Sequence, residues 1–410
     1  MSDVCSEPIN AVTADIVERT DMAAAWIAGH GDQLVSWRRQ LHQYPELGWQ
    51  EHRTTEWIMQ RLAGFGLDPT VLPSGTGVVC DIGDPDAAGT VCLRADIDGL
   101  PLVDRKPVPY RSRHEGCCHA CGHDAHTAIL VGAAAVMAAG PLPERVRLLF
   151  QPAEEQTPGG ALAALRAGVL DGVGQVFALH CDPRLPAGQI GLREGAITAA
   201  ADSLTVTISG SGGHTSRPQL TQDVVFALGS VITGVPALLS RRVDPRAGMS
   251  LVWGAVEAGT AGNTIPRRGV LRGTVRVLDR AAWHEAEPLV RTLIGQVVAG
   301  TGATVDIRYE RGVPPVVNAA QSVQLQRHAA VAALGTQAVA ATGQSLGGED
   351  FGWLTDSIPG ALARLGVAPG DGSAAGSSHD LHQPTFDIDE RALGVGVRFT
   401  VALAAAALSS

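Results

Sequence analysis

The chain has 410 residues, enough for about two to three domains of roughly 150 residues and for a sizeable core, which excludes a small disulfide-stapled module. Apolar residues make up 45% and charged residues 18%, with 49 Gly and 24 Pro, a globular balance rather than a disordered, collagen-like or coiled-coil one. The net charge of -10, from 31 Lys plus Arg against 41 Asp plus Glu, opposes a phosphate backbone, and no Lys/Arg run offsets it locally, so nucleic acid is not an expected partner.

The N-terminal stretch MSDVCSEPINAVTAD carries acids where a secretory signal carries Lys or Arg, and no apolar h-region follows, so a cytoplasmic setting is expected. Between Asp21 and about Phe65 the residues Trp26, Leu34, Trp37 and Leu41 recur with helical spacing, which predicts two helices split near Pro45. GVVCDIG and TVCLRADID then read as adjacent buried strands. After a Pro-rich loop and a His/Cys cluster, an Ala-rich helix begins, with Asp124 as its expected N-cap. Its apolar run, Ala128 to Ala139, is about half the roughly 20 residues that cross a bilayer, and no membrane association is expected. RVRLLFQP is a further strand, GGALAALRAG a helix, and QVFALHCDP a strand that His180 is expected to end. This alternation predicts an α/β unit with flanking helices on a mixed, mostly parallel sheet.

A different order occupies residues 198–312: strand SLTVTISG, a helix over about 221–240, strands SLVWGAVEAG and GVLRGTVRVL, a helix over about 281–299, and strand ATVDIRYERG. That is the split βαβ order of a ferredoxin-like sandwich, expected as a lid domain inserted between catalytic segments 1–197 and 313–410.

The densest chemical signal is CCHACGHDAH, Cys117 to His126, with three His, three Cys and one Asp in ten residues directly before a helix. Thiolate and imidazole together suit a borderline-soft cation. Cys118 and Cys121 form a CxxC, yet no second Cys pair at suitable spacing closes a structural zinc site. The seven Cys are otherwise read as reduced thiols. Glu154 and Glu155 leave a predicted strand side by side, so they face opposite ways; they are either a solvated acidic turn or one metal-bound carboxylate beside one general base. His180 belongs to the same sheet edge, where α/β sites collect, and His379 or His382 could close the site from a distance in sequence.

LHQYPELGWQEHRTTEWI, LRADIDGLPL, HACGHDAHTAILVGAA, LLFQPAEEQTPGGA, ALHCDP, GGHTSRP, GNTIP, GTVR, GGEDFGW and LHQPTFDIDE occur together and in order. From about Val35 onward the chain resembles the aminoacylase-related di-metal metallopeptidase family, in the amidohydrolase branch with hippurate hydrolases and indole-acetyl-amino-acid hydrolases. The resemblance implies two divalent ions per subunit, Zn, Mn, Co or Ni, held by Cys121, His123, Glu155, His180 and His382. It further implies Glu154 as general base, His214 polarising the scissile carbonyl from the partner subunit, Asn263 and Arg276 on the lid binding substrate, and Asp98 orienting a ligand. His379 lacks the LHxP context and is expected to be a loop residue. Cys118 where the family commonly has Met, and Thr215 with Ser216 after GGH where it commonly has Ala, are departures.

The implied activity is hydrolysis of the amide in N-acyl-amino acids by metal-activated water, in a homodimer formed through the lid. A dipeptidase or exopeptidase of the same clan would use the same ions but needs an acidic site for a free amino terminus, and no residue is assigned to that task. A binding protein that keeps the fold without its chemistry is the non-enzymatic alternative, disfavoured by the presence of all six proposed side chains.

Overall fold

The structure, a computed structural model, describes residues 7–87, 89–140, 142, 144–369 and 380–408. His379 and the Gly/Ser-rich run 370–378 lie outside the described residues.

In chain order, α1 (Glu7–Gln43) and α2 (His52–Gly64) precede β1 (Thr70–Val71), β2 (Val78–Gly83) and β3 (Thr90–Asp96). Then come α3 (His123–Ala138), β4 (Arg145–Gln151), α4 (Gly160–Arg166), β5 (Val173–Pro186), β6 (Ile190–Leu192) and the two-residue β7 (Gly195–Ala196). The middle of the chain holds β8 (Ala200–Ser209), β9 (Gly213–His214), α5 (Val224–Arg242), β10 (Ser250–Ala258), β11 (Thr264–Ile265), β12 (Arg268–Val277), α6 (Arg280–Ala299) and β13 (Thr304–Val313). The chain ends with β14 (Val317–Asn318), α7 (Ala320–Leu334), β15 (Val339–Ala341), α8 (Gly352–Ser357), β16 (Gly360–Ala368) and α9 (Arg391–Leu408).

Two compact units result. The first comprises residues 1–195, 318–343 and 353–410. Its sheet has the order β1-β2-β4-β3-β5-β16-β6-β15. The central ladders β4/β3, β3/β5 and β5/β16 are parallel, while β1/β2, β2/β4 and β16/β6 are antiparallel. All seven residues of β3 are buried, as expected for a strand covered on both faces. Fifteen of the sixteen residues of α3 are buried, which explains why its pattern is apolar all round rather than striped. It packs against α1 and α9. By length and composition α5 and α9 could each cross a membrane; α9 is a core helix, packed against α1, α3 and α7.

The second unit comprises residues 196–317 and 344–352. Its sheet, β10-β12-β8-β13, is antiparallel throughout, with α5 and α6 packed on it. Numbered along the unit, the strands lie 2-3-1-4, the ferredoxin-like order. Strand β8 alternates buried and half-exposed residues, Leu204, Val206 and Ile208 pointing inward. The sequence reading places 344–352 with the last catalytic segment, whereas backbone bonds from Ser345 N–H to Ile197 O (2.9 Å) and Ala199 N–H to Gly347 O (3.3 Å) attach it to the inserted unit. Long-range ties of this kind carry no local signal.

Candidate metal centre

Three turns at the exits of β3 and β4 and at the start of α3 meet one interior position of β5. Asp96 ends β3 and Asp98 lies two residues on, so both carboxylates face the same way. Glu154 and Glu155 follow β4. Cys121 enters α3, whose first residue is His123. Gly122 turns the chain with φ 92°, and a Cβ there would sit 2.8 Å from Cys181 Sγ, so the turn accepts no side chain. Two sequence readings need correction. His180 lies inside β5, not at its end, because the strand continues to Pro186 against β16. Asp124 does not cap α3: its buried carboxylate accepts Arg38 Nε (2.7 Å) and pairs with His42 Nδ1 (2.7 Å), anchoring α3 to α1.

The hydrogen bonds assign the imidazole tautomers. His123 Nδ1 lies 2.9 Å from the Asp98 carbonyl oxygen and 3.2 Å from Asp98 Oδ1; neither acceptor can donate, so Nδ1 carries the proton and Nε2 presents a lone pair. His180 Nδ1 likewise donates to Cys181 O at 2.8 Å, and its Nε2 lies 3.5 Å from Cys121 Sγ. Among the described residues His123 Nε2 is buried with no hydrogen bond, and Glu155 Oε1 is buried with only the ion-pair contact to His382. His123 Nε2 stands 3.7 Å from Asp96 Oδ2, 3.9 Å from Glu154 Oε2 and 3.9 Å from Glu155 Oε1. His382, held at φ 62° and tied by its N–H to Ala120 O (2.8 Å), places Nε2 3.2 Å from Glu155 Oε1.

Donor atoms of Cys121, His123 and His180 all lie within 4.8 Å of one another, and so do those of Cys121, Glu155 and His382. The two sets share only Cys121. Burial lowers the pKa of His123, yet Asp96, Asp98 and Glu155 override it and raise it to about 10, so the acids around this ring favour positive charge at Nε2, carried either by a second proton or by a cation that takes the Nε2 lone pair in its place. His180 is driven well below its usual value by burial, with Arg364 and His126 adding to the effect, which keeps its imidazole neutral. One thiol, three imidazoles and a carboxylate, with buried lone pairs converging, are a donor set suited to divalent transition ions.

Asp98, which the resemblance implies as a residue orienting a ligand, and several residues that the sequence reading missed hold these donors in place. Asp98 Oδ2 accepts the Glu155 N–H at 3.0 Å, so one carboxylate aligns both a histidine and the acidic turn. His126 is satisfied on both nitrogens: Nε2 accepts from Cys181 N–H (2.9 Å) and Nδ1 contacts Asp96 Oδ1 at 2.5 Å, which makes it a bracket between β3 and β5. Asp96 Oδ2 takes Arg94 at 2.7 Å, and Arg94 Nε donates to Gln151 on β4. Their signals were the two-residue spacing of Asp96 and Asp98 and the i,i+3 spacing of His123 and His126 on one helix face. Cys118, the other half of the CxxC, is buried outside both donor sets.

The remaining residues belong to the second unit. His214 on β9 pairs with Thr264 on β11, and Thr215 N–H donates to Asn263 O at 3.1 Å, so His214 and Asn263 are neighbours on one small hairpin. Ser216 N–H donates to His214 Nδ1 (3.1 Å), which places the proton of a neutral ring on the exposed Nε2. Arg276 stands elsewhere: β12 pairs Arg268 with Ser209 beside the hairpin and Arg276 with Ala201 at the far end. Eight residue steps of about 3.3 Å separate those ends by about 26 Å. Arg276 Nη1 donates to Leu346 O at 2.9 Å.

The profile of Peptidase family M20/M25/M40 matches residues 92–406. The chain belongs to this family. It is 47% identical over 371 residues to a Rhodococcus jostii protein described as a putative glutamate–cysteine ligase 2-3, covering 90% of this chain but only 46% of that one, so the chain spans about half that relative's length. It is 37% identical over 365 residues to a Bacillus subtilis N-acetyl-L-cysteine deacetylase, covering 88% and 85% of the two chains. Among solved structures it resembles a Bacillus subtilis protein described as a dinuclear metal-binding peptidase of the M20 family, with TM-score 0.81, 32% identity, and coverage of 93% and 99%.

Proposed function

We propose that this M20 chain hydrolyses the amide bond of N-acyl-amino acids with two divalent ions per subunit, one held by Cys121, His123 and His180 and the other by Cys121, Glu155 and His382. The observation that carries this reading is the pair of donor sets sharing a single thiol, with an additional carboxylate, Glu154, beside them. When bound, such ions supply Lewis acidity, which brings the pKa of coordinated water from 15.7 toward about 7. Glu154 is the acidic side chain left over once Glu155 serves as a donor. It takes a proton from the attacking water and returns it to the departing nitrogen. Asp98 keeps His123 Nδ1 protonated and so keeps its Nε2 lone pair turned inward.

The tautomer of His214 gives it an exposed Nε2–H, the donor that a carbonyl oxygen gaining negative charge needs; such a donor is typically worth about 100- to 1000-fold in rate. Arg276 offers a planar fork for the carboxylate of the amino acid, and Asn263 a side-chain amide beside His214. Within one chain Arg276 and the His214 hairpin lie at opposite ends of β12, too far apart to grip one small substrate together. This separation supports a homodimer in which His214 and Asn263 serve the site of the other copy. The edge strand β10, with Val252 and Val256 exposed, and the exposed Phe226 on α5 support the lid as the dimer surface. A cytoplasmic setting is supported by six buried cysteines among the described residues that form no disulfide.

The test is release of free amino acid from N-acetyl-amino acids, with free dipeptides as controls. Chelator should abolish it, and Glu154→Gln should lower kcat by orders of magnitude with metal content unchanged. Turnover retained by Glu154→Gln would remove Glu154 as the base. Faster cleavage of free dipeptides would favour the exopeptidase reading.

A further inference from the structure

We propose that Glu51 is a positioning residue for this reaction, its buried carboxylate fixing the turn from which Glu154 is presented. The inference rests on the reading of Glu154 as the base. Glu51 occupies the N-cap position of α2, where an acidic side chain ordinarily accepts N–H groups of its own helix. It makes no such cap. Glu46 does that work instead, its two oxygens accepting the N–H groups of Arg53 (3.0 Å) and Thr54 (2.8 Å) and the Thr54 hydroxyl (2.9 Å). Glu51 is therefore spared for another task. Fully buried, it reaches across 102 positions of sequence to accept the Ala153 N–H at 2.7 Å.

Ala153 is the residue before Glu154 and has φ 52°, a left-handed conformation that an alanine adopts only when its surroundings impose it. On the other side of Glu154, the Glu155 N–H is held by Asp98 Oδ2 at 3.0 Å. The N–H groups of the two residues on either side of Glu154 are thus each held by a buried carboxylate. The segment carrying Glu51 is shaped to reach this turn: a Cβ on Gly48 would lie 3.1 Å from Ala153 Cα, and Gln156 Nε2 donates to Gly48 O at 3.1 Å. Glu46 O accepts the Gly99 N–H at 2.7 Å, so residues 46–51 also brace the turn that bears Asp98. Burial raises the Glu51 carboxyl to about 7, with its own backbone N–H, the Ala153 N–H and the Thr76 hydroxyl acting against it and Asp98 with it. Either protonation state offers Ala153 a lone pair, so reach matters and charge does not.

Two substitutions separate those properties. Glu51→Gln keeps an acceptor oxygen at the same distance without charge, whereas Glu51→Asp keeps the charge and withdraws the oxygen by about 1.5 Å. Steady-state kinetics on an N-acetyl-amino acid, metal content and thermal midpoint are measured on the full chain. The expected result is kcat lowered about 10- to 100-fold in Glu51→Asp, with KM within about threefold and metal content unchanged, and near wild-type kcat in Glu51→Gln. Wild-type kcat in Glu51→Asp, equal losses in both variants, or loss of kcat in step with loss of metal would each overturn the proposal. Should Glu51→Asp fail to fold, Gly48→Ala, which pushes the same segment off Ala153, decides: lowered kcat at full metal content supports the proposal and unchanged kcat overturns it. Glu154→Gln, assayed in parallel, separates the two readings. If it abolishes turnover while Glu51→Asp does not, only the positioning role fails; if it retains turnover, the base assignment fails.

Discussion

Asp98 makes two contacts that a single substitution can divide. One carboxylate oxygen faces His123 Nδ1 at 3.2 Å and the other accepts the Glu155 N–H at 3.0 Å. In Asp98→Asn one of these positions becomes an NH₂ group, which cannot accept. The side chain should then turn its oxygen to Glu155, because His123 Nδ1 keeps the Asp98 carbonyl oxygen at 2.9 Å as an acceptor. The lost contact is a hydrogen bond to a charged acceptor, worth about 1.5–3 kcal/mol, and the surviving carbonyl bond places its loss near the lower figure. At about 1.4 kcal/mol per factor of ten, metal affinity should fall roughly tenfold. Asp98→Ala also orphans the Glu155 N–H, adding about 1–3 kcal/mol, so its affinity should fall by two orders of magnitude or more. Titration of the metal-free protein with Zn²⁺ or Mn²⁺ in a metal-buffered solution measures both. Equal affinities for the Asn and Ala variants would refute the division of labour between the two oxygens, and wild-type affinity in Asp98→Ala would refute the bracing role altogether.

Other outcomes follow from the same wiring. His126→Ala leaves Asp96 Oδ1 and the Cys181 N–H without their partner, at about 1–3 kcal/mol each, so the urea midpoint should fall while the protein still binds two metal equivalents; loss of one equivalent would make His126 a ligand. Asp202→Ala strips a buried acceptor from Trp283 Nε1, the Tyr309 hydroxyl and the Gly312 N–H, and should make the inserted unit susceptible to proteolysis at wild-type metal affinity. Burial opposes ionisation of Asp104 and Asp387, but His42 with the Ser112 and Lys106 N–H groups hold the first below the usual carboxylate range, and Arg38 with Tyr110 hold the second there. A depressed folded-state pKa adds stability above the unfolded value near 4 that is lost as pH falls through the folded one, so the thermal midpoint should drop in acid below about pH 4 and Asp387→Asn should flatten that slope. Mixing His214→Ala with Glu154→Gln should restore activity that neither shows alone, as complementation between copies requires; no recovery would place His214 in its own chain's site.

Periodicity and turn chemistry made much of this molecule legible from its residues. The ferredoxin-like order was visible because α5 and α6 show apolar stripes and β8 alternates, local patterns that each element carries within itself. The cluster Cys117 to His126, the pair Glu154 and Glu155, and His180 stood out as candidates for a related reason: each sits within a few residues of a strand or a helix start that announces itself, while the proposed roles within them came from the resemblance. His382 needed the resemblance, since its turn has no element beside it to mark it. The extent of β5 past His180 was not legible, because its continuation depends on pairing with β16, some 180 positions away. Nor was the attachment of residues 344–352 to the inserted unit, which rests on a few backbone bonds to Ile197 and Ala199.

The residues that escaped detection share a physical feature. Asp96, Asp124, Glu51 and the second oxygen of Asp98 are acidic groups with a backbone amide, an arginine or an imidazole as partner 30 or more positions away, Asp96 also taking nearby Arg94. In sequence each looks like an ordinary acid at a helix start or strand exit, and Asp124 and Glu51 fall at the beginning of a helix, where a capping role is the natural reading. What reassigns them is burial. A carboxylate withdrawn from water is tolerated only where donors converge on it, and at each of these four positions at least one donor lies on a segment that bears a proposed metal ligand or the base, or on a helix packed against one. The donors around the cation sites thus depend on a second layer of buried acids, and that layer becomes visible only when distant segments are brought together.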